Sequence, residues 1–121
     1  MDAQTLDLAA EDFAAHYLKR KGYRIRKRNY RYLKAEIDII AEIDNTLAVI
    51  EVKARTTHIY GTPESFVSTK QIELIVTAAN HVIEQENLNI EVRFDILTIL
   101  RQHGKWEVNH FENAFYSFDA S

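Results

Sequence analysis

Asp38, Glu51 and Lys53 have the residue types and the spacing to gather charge at one point. They sit in the stretch from Glu36 to Lys53, whose two arms are rich in Ile, Val and Leu and are joined by Asp44-Asn45. Asp and Asn tolerate the positive φ that a tight hairpin turn demands, so the arms are expected to pair antiparallel. With Ile43 facing Thr46, Asp38 falls opposite Glu51 and Glu36 opposite Lys53. Strand alternation then puts Glu36, Asp38, Glu51 and Lys53 on one face and Ile37, Ile39, Ile50 and Val52 on the other. Opposed Cβ atoms lie about 5 Å apart. Two carboxylates at about 4 Å repel by about 4 kcal/mol at an effective dielectric of about 20, so something positive belongs between them. The Lys53 ammonium is one candidate. A hard divalent cation such as Mg²⁺, which takes carboxylate oxygens and keeps waters for chemistry, is the other. The same charges also suit the wet face of an ordinary hairpin, paired as salt bridges, although the apolar density of both arms argues that neither face is fully wet.

The pattern Asp38…Glu51-Val52-Lys53 resembles the PD-(D/E)XK nuclease superfamily. Further motifs extend the likeness: Glu11 within Glu11-Asp12-Phe13-Ala14-Ala15-His16-Tyr17-Leu18, then Gly22-Tyr23, Asn29-Tyr30-Arg31 and Glu36-Ile37-Asp38-Ile39-Ile40-Ala41. Glu51-Val52-Lys53-Ala54-Arg55, Tyr60-Gly61-Thr62-Pro63, Lys70 and Arg93-Phe94-Asp95 complete them. Together they resemble the YraN-type family of predicted endonucleases over roughly residues 8 to 100, and the superfamily likeness reaches the archaeal Holliday junction resolvases. Two glycines usual in that family are Ala10 and Ala35 here, which restricts backbone approach without removing a ligand.

The resemblance implies an α/β protein with a restriction-endonuclease-like core, a mixed β-sheet flanked by helices. It implies a Mg²⁺-dependent endonuclease, with Mn²⁺ as a substitute, hydrolysing phosphodiester bonds in DNA, branched or structured DNA included. Asp38 and Glu51 would be metal ligands, with Glu11 as an additional one and the carbonyl of Val52 completing the set. Lys53 would orient the attacking water or offset developing charge. Glu36 and Gln71 complete the candidate site residues. The alternative is a catalytically silent nucleic-acid-binding or adaptor module of the same fold. A subunit docking its basic strip on an acidic protein is a third reading.

A chain of 121 residues with 46% apolar content suits one domain with a single core. It has no cysteine, which excludes disulfides and thiolate metal sites. The N-terminal residues lack a signal-peptide pattern, and no run approaches the roughly 18 apolar residues of a membrane span, so a cytoplasmic protein is expected. Net charge is −3, yet nine of the 15 basic residues lie between Lys19 and Lys34 with no acid among them. Such asymmetry suits a polyanion docking on one face. Arg24, Arg26, Lys27, Arg28, Arg31, Arg55 and Lys70 are the expected nucleic-acid contacts. The interleaved Tyr23, Tyr30 and Tyr32 read as core residues more readily than as base-stacking ones. A homodimer would suit a nuclease that cuts two strands.

The elements that must position these groups follow from periodicity. Ala10, Phe13, Ala14, Tyr17 and Leu18 recur at helical spacing over about Leu6 to Lys21, closed by Gly22. Glu11 shares an edge of that buried stripe. Tyr23 to Arg28 and Tyr30 to Lys34 read as short extended pieces. The aperiodic stretch from Ala54 to Phe66 is a loop flanking the site, where Arg55, Thr56, Thr57, His58 and Tyr60 are placed to touch phosphate. Ser68-Thr69-Lys70-Gln71 has the form of a capping box, opening a helix through Ile83 whose N-terminus and Lys70 suit an anion. Residues Glu91 to Leu100 predict a strand parallel to the one ending at Lys53, in which Arg93 and Asp95 share a face and pair. Lys105 to Phe111 predict an edge strand. The five histidines show no zinc spacing, and no glycine-rich phosphate loop occurs.

Overall fold

The computed structural model describes residues 2–57 and 61–120. His58 and Tyr60, expected to touch phosphate, lie outside the described residues. The chain opens with helix α1, Ala3–Arg20, whose first turn is capped by the Asp2 side chain accepting from Thr5 N at 2.8 Å. Gly22, at φ 97°, ends it in the left-handed region, where Tyr23 N donates back to the Leu18 carbonyl at 3.0 Å.

Strand β1, Arg24–Tyr32, is continuous where two short pieces were expected. The expected interruption survives as a bulge between Ile25 and Lys27 and a left-handed Asn29 at φ 51°. Strands β2, Ala35–Ile43, and β3, Thr46–Arg55, form the expected hairpin with Ile43 paired to Thr46. A 3-10 turn, Pro63–Phe66, leads to helix α2, Thr69–Gln85. Its capping box is complete: Gln71 N donates to Ser68 Oγ, and Ser68 N to Gln71 Oε1, each at 3.1 Å. Strands β4, Glu91–Gln102, and β5, Lys105–Phe115, and a final 3-10 turn, Ser117–Ala120, complete the chain.

The five strands form one sheet in the order β1-β2-β3-β4-β5. β3 and β4 are parallel, joined through α2, and the other neighbours are antiparallel. Each face buries one helix. Ile37, Ile40, Leu47, Val49 and Ile96 pack with Ile72, Ile75, Ala79 and Val82 of α2. Ile39, Ala41, Ala48, Ile50 and Leu97 pack with Leu6, Ala10, Ala14 and Leu18 of α1. No helix among the described residues is long and apolar enough to cross a membrane.

That division corrects one expectation. Ile37 and Ile39 do not share a face: Ile37 lies in the α2 core and Ile39 in the α1 core. The alternation slips at Asp38, opposite the left-handed Asn29 of β1, so both edges of the slip are structurally matched. Tyr30 and Tyr32 pack toward α2, where Tyr30 Oη meets His81 Nδ1 at 2.7 Å and Tyr32 stacks on the His81 ring with centroids 3.8 Å apart. Tyr23 is buried in the α1 core. All three tyrosines are thus packing residues.

Arg93 and Asp95 pair as expected, with Nη2 to Oδ2 at 2.8 Å. Asp95 also meets His110 Nε2 at 2.8 Å and accepts from Asn113 N at 3.1 Å, while Arg93 donates to Tyr23 Oη. β5 therefore runs four residues past the expected Phe111, because the irregular pairing around Asn113, at φ 54°, lets its backbone close on Asp95.

Candidate active site

The β2–β3 ladder runs from Ile43–Thr46 to Ile39–Ile50 and stops there. Continuing the same register sets Asp38 against Glu51. In place of a ladder carbonyl, Asp38 Oδ2 accepts from Val52 N at 2.8 Å, which satisfies the amide and fixes the carboxylate beside Glu51.

Glu11 reaches the same place from α1. Asp38 and Glu11 line two adjoining cavities, one of about 410 Å³ that includes Glu36, Glu51 and Gln71, and one of about 190 Å³ that includes Val52, Lys53 and Arg55. A third cavity, of about 430 Å³ between α2 and the chain's C-terminal turn, is lined by Val76, Phe94, Phe115 and two asparagines and carries no charged side chain. Of these three cavities, the two that Asp38 and Glu11 line carry the charged groups. Asp7, which lines both cavities of this acidic cleft, was not singled out by sequence; its place four residues before Glu11, on the same helix edge, is the signal that could have found it.

Burial and mutual repulsion raise the three carboxyls of the cleft. Burial pushes Glu51 well above the ordinary value of 4.5, and the charge and hydrogen bond of Asp38 push further, with Lys53 opposing. Burial likewise raises Asp38, against the Val52 N–H, its hydrogen bond with Glu51 and the charge of Lys53. Glu11 is raised by burial and by Asp38, against the Asn29 amide and Arg28. Glu51 Oε1 and Glu11 Oε1 are both buried with no hydrogen-bond partner among the described residues. Unpaired buried carboxylate oxygens are costly, and both belong to residues that line the cleft beside Asp38.

An all-oxygen donor set with two orphaned atoms suits a hard cation such as Mg²⁺ or Mn²⁺. Among the described residues, no three His, Asp or Glu groups stand close enough to enclose an ion by themselves.

A sign follows for stability. A carboxyl whose folded pKa is raised binds its proton more tightly folded than unfolded, so stability falls as pH rises above the unfolded value. For Glu51 that decline begins near 4.5 and continues to its raised folded value. Glu51→Gln is expected to stabilise the metal-free protein at neutral pH, because it removes a charge that burial and Asp38 both disfavour. Thermal unfolding in EDTA across pH checks this: the wild type should lose stability with rising pH more steeply than the variant.

The basic run does not form the bare cationic strip that its composition suggested. Arg24 pairs with Glu42 at 3.0 Å, Arg26 with Glu42 at 2.8 Å and also with Glu86, and Lys27 with Glu86 at 3.2 Å. Arg28 pairs with Asp12 at 2.8 Å and Arg31 with Glu36 at 3.4 Å. These acids come from β2, α1 and the end of α2, so the neutralisation is invisible within the run. Lys34, Lys53, Arg55 and Lys70 carry no ion pair among the described residues. Lys34, Lys53 and Arg55 line the acidic cleft, and Lys70 stands beside Gln71, which lines it. Gln71 thus serves both the helix cap and the cleft wall.

A five-stranded mixed sheet with a helix on each face and its acids at the end of the central hairpin defines an α/β protein consistent with a restriction-endonuclease-like core. The chain belongs to the uncharacterised protein family UPF0102, whose family model matches residues 10–99. It is 46% identical over 108 residues to a UPF0102 protein of Christiangramia forsetii, covering 89% of this chain and 91% of that one. It is 41% identical to one of Flavobacterium psychrophilum over the same shares, and 42% identical to one of Phocaeicola vulgatus over 88% of each chain.

Proposed function

We propose that this protein is a metal-dependent endonuclease that hydrolyses phosphodiester bonds in DNA. One observation carries the reading: among the described residues, Glu51 and Glu11 leave buried carboxylate oxygens unpaired beside Asp38, within reach of the Lys53 charge. Asp38 and Glu51, with Glu11 and the Val52 carbonyl, would hold Mg²⁺ or Mn²⁺. Bound there, the ion supplies polarisation of the scissile phosphate and a lowered pKa for water. A cleft with this many carboxylates repels a phosphate diester unless a cation lies between them, so metal and substrate would bind together.

The chain's own groups do the remainder. Asp38, fixed by the Val52 N–H, holds its orientation without substrate. Lys53 stabilises negative charge developing on the phosphate and orients the attacking water. Lys34, Arg55 and Lys70, without an ion pair among the described residues, take flanking phosphates, with exposed Arg24, Arg28 and Arg31 exchanging weak surface pairs for phosphate contacts. Arg26, held between Glu42 and Glu86, is left to its structural role.

A second reading, a nucleic-acid-binding module that does not turn over, draws on the absence of a closed set of three ligands among the described residues. Calorimetric titration of Mg²⁺ and Mn²⁺, with and without DNA, into wild type and Glu51→Gln separates the two, together with a nicking assay on supercoiled DNA. The nuclease reading expects metal uptake that is lost in the variant, with nicking only by wild type. DNA binding with no metal uptake and no nicking would establish the silent module instead.

A further inference from the structure

The two-residue turn between β1 and β2 is Leu33-Lys34, enclosed by the pair Tyr32–Ala35. Leu33 has φ 56° and is 81% exposed. Among the described residues, the other non-glycine residues with positive φ are Asn29, Asp44, Asn87, His103 and Asn113, all polar. Two-residue hairpin turns favour Asn, Asp or Gly for the same reason, since their side chains tolerate the left-handed region. Leu33 therefore combines an unfavourable backbone conformation with an apolar side chain held in water. Neither packing nor turn chemistry accounts for a leucine there.

Its neighbours indicate what it meets. Lys34 lines the same cavity as Asp38 and Glu51, and the exposed Arg31 stands two residues earlier on β1. An apolar tip between two cations, at the rim of a cleft that would hold a phosphodiester, has the make-up of the wedges by which proteins part a base step. We propose that Leu33 is such a wedge: with a DNA backbone at the Asp38 cleft, its side chain inserts at a base step while Lys34 and Arg31 hold the flanking phosphates. Because parting stacked bases costs free energy, DNA already unstacked at a nick or mismatch is preferred over intact duplex. This rests on the nucleic-acid reading above and adds to it the DNA feature recognised.

Leu33→Asn is the deciding variant, since asparagine suits the turn and should leave the melting temperature unchanged or higher. Nicked and intact duplexes carrying 2-aminopurine beside the nick site are titrated with wild type and variant in Ca²⁺. Wild type is expected to raise 2-aminopurine fluorescence and to prefer the nicked duplex by about tenfold, and Leu33→Asn to lose both while binding the intact duplex within about twofold of wild type. Equal fluorescence in both proteins, or DNA binding with no fluorescence change, overturns the wedge and leaves the nuclease reading standing. A wild type that binds neither duplex overturns both. A dimer in sedimentation that Leu33→Asn converts to monomer would instead assign the tip to contact between copies of the chain.

Discussion

Lys53→Ala is expected to lower metal-dependent DNA cleavage by about 10²–10³-fold, the usual effect of removing one group that stabilises transition-state charge. The fold should survive, because Lys53 is only partly buried and makes no ion pair among the described residues. A second consequence separates loss of this charge from general damage. The Lys53 ammonium pulls Asp38 and Glu51 downward against burial, so its removal lets both carboxyls hold their protons to higher pH. Metal ligands must be deprotonated, so the pH midpoint for Mg²⁺ uptake moves upward in Lys53→Ala. Asp38→Asn should be more severe, removing a proposed ligand and weakening the acceptor for the Val52 amide, with cleavage falling below detection. Nicking rates and Mg²⁺ titrations over a pH series check both. Unchanged cleavage in both variants would assign the activity to a contaminant.

Asp95→Ala is expected to cost about 3–5 kcal/mol of stability, the scale for removing one partner of a buried ion pair. Asp95 is fully buried and takes contacts from Arg93, His110 and the Asn113 amide. Its loss leaves the Arg93 guanidinium, itself only 16% exposed, with Tyr23 Oη and the longer pair to Glu112 at 3.5 Å, and frees the bulged end of β5. Burial alone would raise the Asp95 pKa, but the hydrogen bonds of His110 and Arg93 and the Arg93 charge outweigh it and leave the carboxyl below its ordinary 3.8. A depressed folded pKa contributes stability above the unfolded value and loses it as pH falls through the folded one. The gap between wild type and variant should therefore be widest above about pH 4 and should narrow on further acidification. Urea unfolding at several pH values measures it; a constant gap down to low pH would mean that Asp95 contributes packing rather than charge.

Local physics made much of this architecture readable from the chain. Asp44-Asn45 and the apolar arms set the hairpin register, because turn length and strand alternation act over a few residues. The Ser68–Gln71 box announced the start of α2 for the same reason, and the helix between two strands implied that β3 and β4 run parallel. The Asp38–Glu51 juxtaposition followed directly from that register. The family likeness, spread over most of the chain, agrees with the UPF0102 assignment.

Other features depended on contacts between residues distant in sequence. The slip that separates Ile37 from Ile39 arises where β1 and β2 accommodate Asn29 against Asp38, and alternation within one strand cannot foresee its neighbour's irregularity. The neutralisation of Arg26 by Glu42 and Glu86 required β2 and the end of α2 to arrive beside β1. Asp7 entered the cleft only once α1 was docked across the sheet, and Asp95 found His110 only when β5 folded back along β4. The sequence by itself determined the elements, the hairpin register and the identity of the acids, since these rest on local backbone preference and periodicity. Which charges stay free, which are cancelled and which are driven above their ordinary pKa was decided by the tertiary structure, because desolvation and Coulomb interaction depend on distance in space and not along the chain.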